Sequence, residues 1–260
     1  MGERERAALR VEYTSTTKRL REALLDALLP LFLGPGSWRE TDLDTFLERA
    51  LPTILGAQEA MAWLTDAYLS QRIADRFGET PRLVGVESAA AVRGVPPDQV
   101  YRRPFAQVWT ELSHGMPLET AVKHGADRLE NLALTDLQLT KTHTARAVLS
   151  ADDRVTGYRR TPEGAETCAL CLIASTQLYG KRELMPLHTG CDCGVEEVTG
   201  ETGQVLDQDL LDQVHDAIHR DLGDEARGVD YRQLVLVHEH GELGPVLTVR
   251  HHKHTGHAQI

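Results

Sequence analysis

The sequence predicts an α+β protein, with an N-terminal helical bundle followed by a small α+β domain that ends in a β-hairpin. Three observations predict it. Apolar residues recur at helical spacing through roughly the first 150 residues. All four cysteines fall between Cys168 and Cys193, in a turn-rich stretch of different composition. Near the end, Leu234–His238 and Val246–Arg250 flank Gly241-Glu-Leu-Gly-Pro245, as the arms of a hairpin would. The division expected is a helical region over 1–127, a second domain over 128–250, and a flexible His-rich tail over 251–260.

Residues 3–33 carry Leu9, Tyr13, Leu20, Leu24, Leu28 and Leu31 on one helical face, stopped by Gly34-Pro-Gly-Ser37. Thr41 or Asp42 is suited to cap a second helix through Leu43, Phe46, Leu47 and Leu51. Pro52 either kinks that helix or opens the next one. The stretch 53–77 follows as a long amphipathic helix closed by Gly78. Residues 79–96 are irregular. Pro96-Pro97-Asp98 opens another helix, disturbed at Pro104 and ended by His114-Gly115. Pro117 starts a helix, and a further helical run covers about 128–149. Trp63 and Trp109 sit on apolar stripes and Trp38 lies just ahead of one, so all three are expected to pack between helices. Arg102-Arg103 reads as a solvated face. After Asp153, Arg154–Thr161 alternates as a short strand does, and Asp207–Leu222 is helical with Leu210, Leu211, Val214 and Ile218 on one face.

The chain has 260 residues, 41% hydrophobic and 26% charged, which is ordinary for a globular protein and excludes a wholly disordered one. Its net charge of −11 argues against nonspecific binding to phosphate backbones, and 5% aromatics argues against a stacking platform for single strands. No run approaches the ~20 apolar residues of a membrane span. The first residues lack the basic-then-apolar order of a signal peptide, so synthesis in a reducing cytoplasm is expected. There, four thiols within 26 residues read as a metal site before they read as disulfides.

The pattern is Cys168-Ala-Leu-Cys171, sixteen residues, then His188-Thr-Gly-Cys191-Asp-Cys193. Two thiolates three apart can reach one ion from a single tight turn, and an extended Cys191-Asp-Cys193 would turn both sulfurs to one side. Zn2+ takes four ligands, so one donor of Cys168, Cys171, His188, Cys191 and Cys193 is surplus. The four cysteines are the first choice, with His188 the substitute for one. The second domain is therefore expected to be stapled by one structural Zn2+. Two disulfides, or thiols packed as small apolar residues, are the alternatives. His238 and His240 would project together from a strand, as a solvated pair first and a second metal site second. His251, His252, His254 and His257 belong to the tail.

Taken together, the strand from Tyr158, the paired cysteines, Leu178-Tyr-Gly-Lys181 and Pro186-Leu-His188-Thr-Gly-Cys191-Asp-Cys193 resemble the C-terminal core of the Mu-F-like phage head-morphogenesis proteins, in the form found in actinobacterial phages. The segment Val237–Val249 resembles the end of the same versions. The likeness covers roughly residues 130–250. Two departures are visible. Many members carry an Arg-Thr pair near an acidic residue in the helix before the cysteines, whereas Leu139–Ala147 has only the displaced Arg146. Many also have Arg between the last two cysteines, where this chain has Asp192. The resemblance implies a minor capsid protein of the virion, made in the host cytoplasm, structural rather than enzymatic. It would lie at the portal vertex or inside the head, with portal protein and major capsid protein as partners and packaged DNA nearby.

Two rival functions have candidate residues. A capsid maturation protease would need a nucleophile beside a base. Ser113 next to His114, Ser175, or a cysteine with His188 are available, but no G-x-S-x-G elbow is. A zinc-ribbon nucleic-acid binder would use Arg159-Arg160 and Lys181-Arg182, which otherwise read as solvated charges on a turn.

Overall fold

The computed structural model describes residues 2–86, 92–162, 168–181, 184, 193–200, 208–223, 230, 234–242 and 244–249. It is helix-rich, with N-terminal helices and small antiparallel sheets, and it divides into two compact units, 1–151 and 152–260.

The first unit is built on three long helices: α1 (Glu3–Leu33), α2 (Glu40–Phe77) and α5 (Leu118–Ala151). Arg6 pairs with Asp75 at one end and Phe32 meets Phe46 at the other, so α1 and α2 run antiparallel. Two short helices, α3 (Pro97–Tyr101) and α4 (Arg103–Ser113), cover the end where Phe32 lies. Arg102 lies between them, and Pro104 occupies the first turn of α4, where its missing N–H leaves no bond unmade. The ring of Phe32 contacts Trp38, Phe46 and Phe105 at centroid distances of 5.0, 5.9 and 5.2 Å, mostly edge to face. Each such pair adds roughly 0.5–1.5 kcal/mol beyond the area it buries. Trp109 donates its indole N–H to the Trp38 carbonyl at 2.7 Å, which ties the α1–α2 turn to α4.

Three expectations for this unit are corrected. Pro52 does not start a new helix: α2 runs unbroken through it, and Leu43, Phe46, Ala50, Ile54, Ala57 and Met61 form one buried stripe that continues past it. Asp42 caps α2 from its third residue rather than from the cap position. Its carboxylate accepts the Arg39 N–H at 2.9 Å and the Ser37 hydroxyl at 2.6 Å, and these bonds hold its pKa below the usual carboxylate value. Finally, the division falls at 151/152 instead of 127/128. Residues 118–151 form one continuous helix whose buried positions run from Ala121 to Leu149, so no linker interrupts it.

In the second unit, β1 (Gly157–Thr161) is the centre of a three-stranded antiparallel sheet between β2 (Leu178–Gly180) and β3 (Gly194–Val198). Tyr158 stands opposite Tyr179 on one side and Glu197 on the other. Gly157 is required there, since a Cβ would lie 2.4 Å from the Tyr179 carbonyl oxygen. A second core joins α6 (Ala169–Ser175), α7 (Gln208–Leu222) and the hairpin of β4 (Val235–His240) and β5 (Gly244–Val249). The hairpin and the α7 stripe agree with the sequence reading, with Val214, Ala217 and Ile218 of α7 almost fully buried. The hairpin strands run further than expected: His240 already pairs with Gly244, which shortens the loop to three residues.

Candidate metal centre

The first cysteine pair lies at the start of α6. The sequence marked this stretch as turn-rich, but its Ala-Leu-Cys-Leu-Ile-Ala-Ser run is buried at every position and folds as a helix directly after Cys168. Cys168 is the cap residue. Its Sγ accepts the Cys171 N–H at 3.5 Å, and its carbonyl accepts the Leu172 N–H at 3.1 Å. An N–H···S bond across a C-x2-C turn favours a sulfur carrying negative charge, the form in which a thiol binds metal.

Cys171 on α6 and Cys193 at the head of β3 are both 4% exposed and belong to one buried cluster, with Cys168 packed against it. The fold thus brings three of the five proposed donors into one apolar neighbourhood. The other two, His188 and Cys191, lie outside the described residues. Among the described residues, no group of three or more His, Cys, Asp or Glu side chains is arranged to hold an ion. Thiolate donors are the type that a soft, borderline cation such as Zn2+ takes, but the three described cysteines do not by themselves form such a group.

His238 and His240 share one face of β4, as alternation requires. His240 accepts the Glu242 N–H on Nδ1 at 3.3 Å, which leaves its proton on Nε2. The tail histidines 251, 252, 254 and 257 lie outside the described residues.

Several of the residues named for the rival functions make contacts among the described residues. Ser113 and Ser175 donate their hydroxyls to the Thr110 and Leu172 carbonyls, each at 2.7 Å. Arg160 is not solvated on a turn as expected. It is 2% exposed and lies over the rings of Tyr158 and Tyr179, because β1 is covered on both faces. Burial pushes the Tyr179 phenol up to about 12. Arg159 reaches Glu196 across the sheet at 3.2 Å, and Lys181 donates to the Asp152 carbonyl at 3.1 Å. Arg182 lies outside the described residues. Arg102 lies on a solvated face, as expected, and pairs there with Glu40 of α2. Trp63 is corrected as well: it is 60% exposed, while its neighbours Met61, Ala62 and Thr65 take the buried face.

Sequence reasoning missed the polar groups that hold these segments in place. Asp66, buried on α2, accepts the backbone N–H groups of Val84, Gly85 and Val86 and the Ser70 hydroxyl, which fastens the segment after α2 to it. Asp221 of α7 accepts the Ala169 N–H at 2.8 Å beside the cysteine turn. The one available signal was local misfit: an acid on an otherwise buried face, and an acid at the unfavourable end of a helix.

No family model, curated protein or solved structure matches the chain. None of the helices among the described residues is long and apolar enough to cross a membrane.

Proposed function

We propose that this chain is a Mu-F-like minor capsid protein, a structural component of a phage head held at the portal vertex or on the inner face of the shell. Its second unit would be stapled by one Zn2+ through four of Cys168, Cys171, His188, Cys191 and Cys193. What supports the reading is that Cys171 and Cys193, from the two halves of the motif that carries the family likeness, belong to one buried cluster with Cys168 packed against it. A bound ion would cross-link α6 to the start of β3, and its binding free energy would add to the stability of a small unit.

Charge distribution supports the same reading. Residues 152–260 hold 10 Lys and Arg against 19 Asp and Glu, whereas residues 1–151 hold 18 against 20. The second unit therefore carries most of the net negative charge. A surface of that sign repels packaged DNA and leaves protein partners, portal and major capsid protein, as the contacts it makes.

The test is the location of the chain in assembled particles. Antibody detection in purified heads, protected from external protease until the heads are opened, is the expected result. Its absence from heads that contain portal and major capsid protein overturns the proposal.

A further inference from the structure

Asp221 lies in the last turn of α7, where the helix already carries partial negative charge and an acid is unfavourable. The carboxylate serves a different helix. Its Oδ2 accepts the N–H of Ala169, 52 residues earlier, at 2.8 Å. That N–H is the first unmatched donor of α6. Arg220 holds the same carboxylate, Nε to Oδ1 at 2.7 Å and a terminal nitrogen to Oδ2 at 3.3 Å. The next turn of α6 is closed by Cys168 itself, through Sγ to the Cys171 N–H and its carbonyl to the Leu172 N–H. The peptide from which both sulfurs project is thus fixed from two sides, by its own cysteine and by α7. The stripe Val214, Ala217 and Ile218 packs α7 into the cluster that holds Cys171.

We infer that Asp221 is a positioning residue for metal capture: it presets the Cys168–Cys171 turn for a soft divalent cation, and Arg220 keeps its carboxylate aimed at Ala169. The inference rests on the zinc reading above and deepens it. Losing the acceptor frees the peptide that joins Cys168 to Ala169, so the two sulfurs must be ordered when the ion binds. Groups that orient ligands in this way change metal affinity by roughly 10- to 100-fold.

The test uses the reduced full-length chain, with Zn2+ titrated against a chromophoric chelator and Co2+ titrated to follow the thiolate-to-cobalt absorption. Asp221→Ala is expected to weaken Zn2+ binding about 10- to 100-fold and to alter the Co2+ spectrum. Asp221→Asn keeps an oxygen acceptor for the Ala169 N–H and is expected to restore most of the affinity. Tight binding by the wild type with unchanged affinity and spectrum in Asp221→Ala, whatever its melting temperature, overturns the inference and leaves the zinc reading standing. A wild type that takes up no metal overturns both. If Asp221→Ala does not fold, Arg220→Gln takes its place. It should bind Zn2+ more weakly than the wild type, and equal binding overturns the inference.

Discussion

Arg93 and Asp136, 43 residues apart, form an ion pair whose side chains are 5% and 4% exposed. Arg93 also donates to the Leu132 carbonyl at 3.2 Å, and the Tyr101 hydroxyl donates to the other carboxylate oxygen at 2.8 Å. Burial, and then the neighbouring Asp136, push the Tyr101 phenol well above its ordinary range, so it remains a donor. Removing one member of a buried pair leaves a charge without its counterion, a loss of roughly 3–5 kcal/mol. Arg93→Met should therefore lower the urea midpoint of the helical unit strongly. Adding Asp136→Leu should recover part of that loss, because the stranded charge goes with it. A double variant no more stable than Arg93→Met would contradict this account.

Two glycines inside long helices should respond with opposite signs. A Cβ at Gly125 would lie 2.7 Å from Val108 Cγ2, 2.8 Å from Phe32 Cζ and 3.1 Å from the Pro104 carbonyl oxygen. At Gly56 nothing lies within 4 Å. Alanine gains about 1 kcal/mol of helix propensity at either position. At Gly125, overpacking at a cost of roughly 1–3 kcal/mol meets or exceeds that gain. Gly56→Ala should raise the melting temperature and Gly125→Ala should lower it, both followed by circular dichroism.

Much of the fold was legible because its signals are local. The stripe through Tyr13, Leu24 and Leu28, the Gly78 cap with φ of 67°, and the paired runs at 235–240 and 244–249 need only neighbouring residues to be read. What was hidden depends on distant partners. Pro52 looked like a break because its local effect is unfavourable, yet the packing of Ala50, Ile54 and Ala57 against the core outweighs it. The helix at Ala169–Ser175 has no polar face to reveal its period, since it is buried all round. At the candidate centre, the donor types could be read from the cysteine spacing. Asp221 could not, because a cap formed across 52 residues leaves no spacing to recognise.

Burial, reinforced by Arg146, holds the His143 imidazole below its ordinary value of 6.5. The folded chain therefore binds this proton less readily than the unfolded chain does. The stabilising contribution is fully present above the unfolded value and is lost as pH falls through the lowered one. Replacing His143 with Gln, which cannot titrate, should flatten the decline in melting temperature between about pH 7 and pH 5. The wild-type and variant curves should converge in slope at higher pH. Parallel curves across the whole range would remove His143 from the account.

The cysteine turn gives the sharpest separation between the two units. If an ion cross-links α6 to the start of β3, losing one ligand removes binding free energy that the small second unit depends on. At Cys171, 4% exposed, serine also buries a hydroxyl among apolar side chains. Cys168→Ser and Cys171→Ser should each unfold the second unit while residues 1–151, whose core is separate, stay folded. Limited proteolysis should then leave a stable fragment ending near Ala151. A strong chelator should convert the wild type to the same pattern, and metal analysis of the purified reduced protein should return about one zinc per chain. Thiols that merely fill apolar space predict a different outcome: chelator has no effect, and Cys171→Ala is tolerated as a small apolar replacement. Cys171→Ala therefore decides between the two, and it should unfold the second unit as completely as Cys171→Ser does.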